Sequence, residues 1–180
     1  MDDAALNRLK LQAHVTVNDM RLAQASIISD LRSAGIDATS IWEMRTASKT
    51  PEYRRGLPIL IRYLDEDIPD NVKAQVARLL AVPQASEFWE DLLGRFERAP
   101  EGEVREALAL AVSRGFRKSR LELIFELIDD EDAGRHRILF IGPLKRIRDQ
   151  RVLPFLEERR NHPVIGNEIR RLLAGRAVNS

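Results

Sequence analysis

The sequence predicts an all-α protein built as a stack of helix pairs that recur every 32 residues. Four columns of apolar residues indicate this, because each column takes one residue from each of four successive units. The columns are Leu57, Trp89, Leu121 and Leu153; Leu60, Leu92, Ile124 and Leu156; Val76, Leu108, Phe140 and Leu172; and Ala77, Ala109, Ile141 and Leu173. A fixed period of this kind is typical of a solenoid, in which stacked units bury one continuous core.

Each unit contains the apolar faces of two helices. From Leu57 to Leu64 the apolar residues follow the i, i+3, i+4, i+7 spacing of one helix face, and from Val72 to Leu80 they mark a second. Pro69-Asp70 lies between them and is a turn signal. We expect helices at 53–66, 70–82, 86–98, 101–114, 118–130, 134–148, 151–160 and 164–174. Gly142-Pro143 falls inside the sixth of these and should kink it or break its hydrogen-bond ladder.

Residues 1–50 are less regular and should form a helical cap with a degenerate repeat, continuous with the four regular repeats of 51–180. A helix near 19–34 should carry an apolar face made of Leu22, Ile27, Ile28 and Leu31. Ser40–Glu43 has the form of a capping box and predicts a short helix to about Ala47. Residues 2–14 could be a capping helix or a frayed end. Terminal units are expected to be atypical because their outer faces meet water.

The composition excludes several classes of site. The chain has 180 residues, of which 44% are hydrophobic and 32% charged, and it has no cysteine. A disulfide framework and a thiolate metal site are therefore impossible. No uninterrupted apolar run approaches the length that spans a membrane, and the chain starts with acidic residues rather than a basic leader. We expect a cytoplasmic protein that does not contact membranes.

The net charge of +1 hides an asymmetry. Residues 133–180 contain eleven Arg or Lys and four acids, a net charge of +7, so the first 132 residues carry −6. One interpretation is that the basic end steers an acidic partner to the protein. The other, which we favour, is that these arginines cover the solvated faces of helices.

Several segments carry a resemblance to a known family. Gly56–Leu60 followed by Leu64–Asp67, and also Asp149–Leu156, look like the first helix and turn of a HEAT-like repeat, and Val104–Leu108 looks like the opening of its second helix. The unit is shorter than the general HEAT length of about 40 residues. It resembles the short repeats named after the phycobilin lyases, over about 51–176. The resemblance implies an α-α superhelix and says little about biochemical activity.

The resemblance also implies hydrogen-bonded acid and base pairs between neighbouring units. In HEAT-like repeats an acid near the first turn often meets a base of the second helix. The candidates here are Asp65, Glu97 and Asp129 with Lys73, Arg105 and Arg137. We therefore prefer a structural role for Arg105 and Arg137 over a role in binding.

The sequence shows no catalytic constellation, and we expect neither a cofactor nor a metal. The three histidines, His14, His136 and His162, are isolated from one another, and His136 occupies a packing column. No serine lies in a nucleophile elbow, and no Gly-rich loop could hold a phosphate. Trp89 sits in an apolar column and should be core. Trp42 lies in the irregular region; we favour packing under the cap over an exposed anchor for a partner.

The sequence therefore predicts a non-catalytic function: a binding or scaffold module that recognises a protein partner, such as an acidic one, through the concave surface of the solenoid. The second helix of each pair should line that surface. Helix geometry places on this side the residues Arg78, Leu110, Arg114, Arg146, Arg170 and Arg171. The alternative is binding of a nucleic-acid backbone by a basic concave or C-terminal surface. Near-neutral charge and a lack of interleaved aromatic residues argue against it. An enzyme related to the lyases of the repeat's name is a third hypothesis.

Overall fold

The computed structural model describes residues 20–42, 44 and 50–177, and within these ranges it contains helices and turns but no strands. The α-helices are α1 (20–33), α2 (Leu57–Tyr63), α3 (Asp70–Leu79), α4 (Trp89–Arg98), α5 (Glu103–Gly115), α6 (Leu121–Asp129), α7 (Arg137–Ile141), α8 (Val152–Glu158) and α9 (Gly166–Ala177). The all-α prediction is confirmed for this part of the chain.

The helices pack as successive pairs. Helix α2 packs on α3, α4 on α5, α6 on α7 and α8 on α9. The second helices also pack on one another in chain order, α3 on α5, α5 on α7 and α7 on α9, and the contact between α3 and α5 is the most extensive. Equivalent positions of successive second helices therefore lie side by side, which is the feature of the fold that builds the site described below.

Short 3-10 helices replace parts of the predicted α-helices. They cover Pro51–Gly56, Pro83–Phe88, Lys118–Arg120, Glu131–His136 and Gly142–Arg146. Pro58 explains the first one, because it has no N–H to bond the carbonyl of Arg54 and an α-helix cannot run through it. The predicted helix at 53–66 is thus a 3-10 turn followed by α2.

The sixth predicted helix, at 134–148, is interrupted as Gly142-Pro143 indicated. Helix α7 ends at Ile141, and a 3-10 turn continues over Gly142–Arg146. The start is later than predicted because Gly134 adopts φ 54°, in the left-handed region that favours glycine. The helix therefore keeps five of the residues predicted for it.

The core columns are buried except at Leu153, which is exposed, and at Leu173, which is half-buried. Leu60, Leu92, Ile124 and Leu156 are all 0% exposed, as a continuous row requires. Leu153 is 51% exposed, so its assignment to the core is wrong.

Contacts with the preceding pair explain the exposure of Leu153. The ring of Phe155 stacks on Phe125 with centroids 3.9 Å apart. Arg159 reaches Asp129, with Nη2 2.7 Å from Oδ2. These contacts turn α8 so that Val152 and Phe155 face inward and Leu153 faces solvent.

Two buried aromatic side chains close the ends of second helices. Trp89 is fully buried, as predicted, and its Nε1 donates to the carbonyl of Val112 in the last turn of α5 at 2.8 Å. The hydroxyl of Tyr53 donates to the carbonyl of Leu79 at the end of α3, also at 2.8 Å. Carbonyls of a last helical turn have no partner within the helix, so these bonds tie each second helix to the segment that leads into a first helix. Burial raises the pKa of Tyr53, which keeps the hydroxyl a donor.

The acid and base pairs differ from those implied by the resemblance. Asp65 pairs with Arg95, with Oδ2 and Nη2 2.7 Å apart, and Asp129 pairs with Arg159, so the bases lie on the first helix of the next unit. Arg105 bonds the carbonyls of Ala99 and Asp132, and Arg137 bonds those of Gly134 and Asp129. The predicted pairing of these arginines, and of Lys73, with the acids is wrong, whereas the structural role of Arg105 and Arg137 is confirmed.

The N-terminal region agrees with the sequence in part. Ile27, Ile28 and Leu31 of α1 are buried, but Leu22 is 62% exposed and does not belong to the apolar face. Ile41 and Trp42 form a turn rather than the start of a helix. The rest of the predicted helix to about Ala47, apart from residue 44, and the predicted segment 2–14 lie outside the described residues.

Asp149 should make stability depend on pH. Hydrogen bonds from Arg151 hold the pKa of its carboxyl below the ordinary value, and the ammonium of Lys118 lies 3.6 Å away. A depressed pKa means that the carboxylate stabilises the fold at neutral pH and that this stability is lost as the pH falls below about 4.

We therefore expect Asp149→Asn to lower the melting temperature at pH 7. Between neutral and acid pH, the melting temperature of this variant should then fall less than that of the wild type. Thermal melts from pH 7 to pH 2 measure both. Asp67→Asn, at an exposed acid of the α2–α3 turn, is the control. A variant that melts like wild type at every pH would contradict the assignment.

Candidate functional site

The 32-residue register brings three of the predicted partner-binding residues to one cavity. Arg78 on α3 and Leu110 on α5 are one period apart, and so are Val82 and Arg114. Because α3 packs directly on α5, these four residues line one cavity of about 640 Å³, together with Trp42. Arg78, Leu110 and Arg114 were predicted to face the same side, and the structure does bring them together.

Buried hydrogen bonds fix the floor of this cavity. Gln75 is buried and its Nε2 donates to the carbonyl of Ile41 at 3.0 Å. That bond joins α3 to the turn that carries Trp42. The hydroxyl of Tyr53 holds the carbonyl of Leu79, which also lines the cavity. The floor is therefore formed by side chains that already have partners and does not need a ligand to satisfy them.

Trp42 stands at the cavity with 48% of its surface exposed. The favoured prediction, that Trp42 packs under the cap, is therefore wrong, because about half of the side chain is exposed. The alternative of an exposed anchor fits better, since a large aromatic ring beside an open cavity is typical of binding surfaces. The backbone of Trp42 is held in the turn at residues 40–42, where its N–H donates to Ser40 Oγ at 3.2 Å.

The two arginines of the cavity differ in their electrostatic state. Arg78 lies 3.8 Å from the carboxylate of Glu103. Arg114 is exposed and has no ion pair among the residues that the structure describes. A cation without a counter-charge next to an apolar floor favours a ligand that carries both a carboxylate and an apolar group.

The same positions continue into the next unit. One period after Leu110 and Arg114 come Gly142 and Arg146. Both are exposed, and a Cβ built on Gly142 would meet no atom within 4 Å. Arg146, like Arg114, is without an ion pair in the described ranges. The predicted row of Arg114 and Arg146 is therefore solvated, and the surface beside it is open at Gly142.

Arg170 and Arg171 lie on α9 and do not line the cavity. Arg170 donates to the carbonyl of Arg160 and to Asn167 Oδ1, and Arg171 lies 3.5 Å from Glu168. Their groups are engaged in local contacts, so the structure does not bring these two predicted residues to the rest of the site.

Five arginines of the basic C-terminal segment form ion pairs with acidic side chains. The ion pairs are Arg135 with Glu101 and Glu106, Arg151 with Asp149 and Glu122, Arg159 with Asp129 and Glu158, Arg160 with Glu157, and Arg171 with Glu168. Several join one unit to the preceding one. These contacts fit the interpretation that the arginines cover helix surfaces, whereas Arg146 and Arg148 are exposed and have no ion pair among the described residues.

The histidines show packing and turn contacts. His136 is buried, with its ring edge-on to Phe96, as the packing prediction required. His162 Nδ1 accepts from the backbone N–H of Val164 at 3.1 Å and so belongs to a turn, whereas His14 lies outside the described residues. Within the described ranges no three acidic or histidine side chains come together as ligands for a metal. The helices there are also too short or too polar to cross a bilayer.

A second cavity, of about 300 Å³, lies at the other ends of α3 and α5. Its basic lining residues are Lys73, Arg95 and Arg98, and its acidic ones are Asp65, Asp70, Glu101 and Glu103. The charges of the two sets offset one another, and Arg95 is held by Asp65. This cavity therefore has weaker selectivity for one sign of charge than the surface around Arg114.

Sequence reasoning missed Val82, Gln75 and the contribution of Trp42. Val82 could have been found, because it precedes Arg114 by one period. Gln75 and Trp42 meet through a bond between α3 and an irregular turn, and no periodic signal describes that turn.

Comparisons with protein-family models, with curated proteins and with solved structures found no match to this chain.

Proposed function

We propose that this chain is a non-catalytic binding or scaffold module that acts in the cytoplasm and recognises an acidic protein partner. In this proposal the helix pairs form a HEAT-like α-α superhelix, and the second helices line its concave surface. The observation that carries the proposal is the meeting, at one partly apolar cavity, of exposed Trp42 and of Arg114, which has no ion pair in the described part of the chain. Aromatic and arginine side chains of this kind dominate the binding energy of protein interfaces.

The apolar content of the surface favours a protein partner over nucleic acid. Val82, Leu110 and Trp42 lie beside the arginines, and the carboxylate of Glu103 sits 3.8 Å from Arg78. A phosphate backbone would meet this carboxylate as a like charge. A folded or unfolded protein segment can satisfy both the apolar and the cationic groups.

Nucleic-acid binding stays the second candidate because Lys145, Arg146 and Arg148 are exposed and have no ion pair in the part of the chain that the structure describes. The two functions differ in their salt dependence. Binding through several phosphates weakens steeply as salt rises, roughly 10³-fold or more between 50 and 200 mM for six or more contacts. Two arginines on a protein partner give a much shallower dependence.

Charge reversal at Arg114 and Arg146 tests the proposed function. Affinity capture from a lysate of the source cells, followed by identification of the captured proteins, should yield a partner with the wild type and none with Arg114→Glu/Arg146→Glu. Two like charges would then face the acidic partner, which reduces association. Both positions are solvated, so helical content and melting temperature should stay near the wild-type values.

The control is Arg55→Glu/Arg98→Glu, which makes the same change in net charge. Both residues are exposed, belong to the segments of first helices, and lack an ion pair among the described residues. Arg159 and Arg160 would be a poor control, since Arg159 holds Asp129 and lies over the ring of Phe155. Capture that survives at Arg114/Arg146 but is lost with the control would move the site away from the second helices.

A further inference from the structure

We propose that the ligand of this surface is an extended acidic peptide segment, with one apolar side chain in the cavity beside Trp42 and two carboxylates, three residues apart, on Arg114 and Arg146. This inference rests on the proposed function and specifies the chemistry of the partner. It follows from the spacing of the cations, the shape of the floor between them and the lining of the cavity.

The spacing of the two cations sets the spacing of the acids. Arg114 and Arg146 occupy the same position in neighbouring units, and the α5 segment contacts the 3-10 turn that carries Arg146. Packed helices lie about 8–10 Å apart. A peptide in the extended polyproline II conformation has three residues per turn and advances about 3.1 Å per residue, so carboxylates three residues apart lie on one face of it and span about the same distance.

The floor between the arginines suits a peptide backbone. Along the row that begins with Arg78, the later units place Leu110, Gly142 and Ala174. The side chains become small after Leu110, and Gly142 leaves open space where a Cβ would stand. A peptide backbone can therefore approach the turn at Gly142 closely. The surface of a folded partner is too bulky to enter this space.

The cavity itself has ample room for an apolar side chain of the peptide. Its volume of about 640 Å³ lies within the usual range of ligand pockets. Leu79, Ala81, Val82 and Leu110 supply apolar surface, and Trp42 stands at the edge with half of its ring free. An aliphatic or aromatic side chain placed there would bury apolar area on both partners.

The protein itself supplies a carboxylate to one of the two arginines of the cavity. Glu103, at the start of α5, lies 3.8 Å from Arg78 on α3. Arg78 is thereby occupied, and Arg114 and Arg146 are left to select acidic ligands. The proposed peptide site therefore has an apolar end at the cavity beside Trp42 and a cationic end at Arg146.

Selection from a random library of displayed peptides, each about a dozen residues long, tests this inference with the full chain as bait. We expect the enriched peptides to carry an apolar residue and two acids three residues apart. Synthetic copies should bind Arg114→Glu/Arg146→Glu at least about tenfold more weakly than wild type, and should bind Arg55→Glu/Arg98→Glu as they bind wild type. Moving the two acids next to each other, at unchanged composition, should also weaken binding.

Enrichment of peptides without acids, equal binding to both charge-reversed variants, or no enrichment at all would overturn the inference. Displacement of the enriched peptide by a single-stranded oligonucleotide but not by excess unlabelled peptide would overturn it in favour of nucleic acid. If peptides fail while capture of a protein still depends on Arg114 and Arg146, the partner presents a folded surface and the proposed function stands. If capture does not depend on them either, both fail.

Discussion

Replacing Leu92 with Ala should destabilise the protein by about 2–5 kcal/mol. Leu92 is fully buried on α4, and it belongs to a pair with helix pairs on both sides. Removal of the side chain leaves a cavity that the surrounding helices cannot easily fill, because α4 packs along α5 and is joined to the units before and after it by Arg95 with Asp65 and by Glu90 with Arg120. The lost burial and the remaining cavity both reduce the free energy of unfolding, and urea melts measure the loss.

The equivalent substitution in the last pair, Leu156→Ala, should cost less. Leu156 is as buried as Leu92, but α8 packs chiefly on α9 and exposes Leu153 on its outer side. A helix with one free side can move toward the gap. Similar losses for the two variants, or a larger loss for Leu156→Ala, would contradict a one-dimensional stack of units.

The periodicity explains why so much of the candidate site could be predicted. A repeat of fixed length places equivalent residues side by side, so Arg78 with Leu110 and Val82 with Arg114 follow from the numbering once the second helices pack on each other. The burial of Leu60 and its equivalents follows in the same way. These are consequences of local helix geometry repeated along the chain, which a single sequence reveals.

Features that depend on longer-range contacts were not predictable. The rotation that exposes Leu153 depends on Phe155 stacking on Phe125, and no residue near Leu153 in the sequence signals it. The partners of Asp65 and Asp129 were taken from a resemblance, and the nearer arginines of the next first helix bind these acids instead. Both outcomes depend on how neighbouring pairs are rotated relative to one another.

The irregular region limited the description of the candidate site. Trp42 lies outside the regular repeats, so the 32-residue period could not indicate which way its ring points. Its position depends on the turn at residues 40–42 and on the bond from Gln75 to Ile41. The sequence therefore left packing and exposure open for the residue that contributes the largest aromatic surface to the cavity.

Replacing Trp42 with Ala should weaken binding of the captured partner or of the enriched peptide by about 2–4 kcal/mol, roughly 30-fold or more. The ring is the large aromatic group beside the cavity, and truncation removes the apolar contact that an anchor side chain would make. Stability should change little, because about half of the ring is already exposed. Titration calorimetry measures the affinity, and a thermal melt measures the stability.

Leu153→Ala is the matched control, since it removes an equally exposed apolar side chain from a helix that does not line the cavity. It should leave the affinity unchanged. An affinity loss for Leu153→Ala with none for Trp42→Ala would place the partner on the end of the stack instead.

The central claim, that the partner binds at the Trp42 cavity on the second helices, is tested most directly by the indole N–H resonances in a ¹H–¹⁵N spectrum. The chain has two tryptophans, and the indole of Trp89 is buried and bonded to Val112. Addition of the captured partner, or of an enriched peptide, should shift the Trp42 resonance to saturation and leave that of Trp89 nearly unmoved. Saturated binding with an unmoved Trp42 resonance would contradict the account.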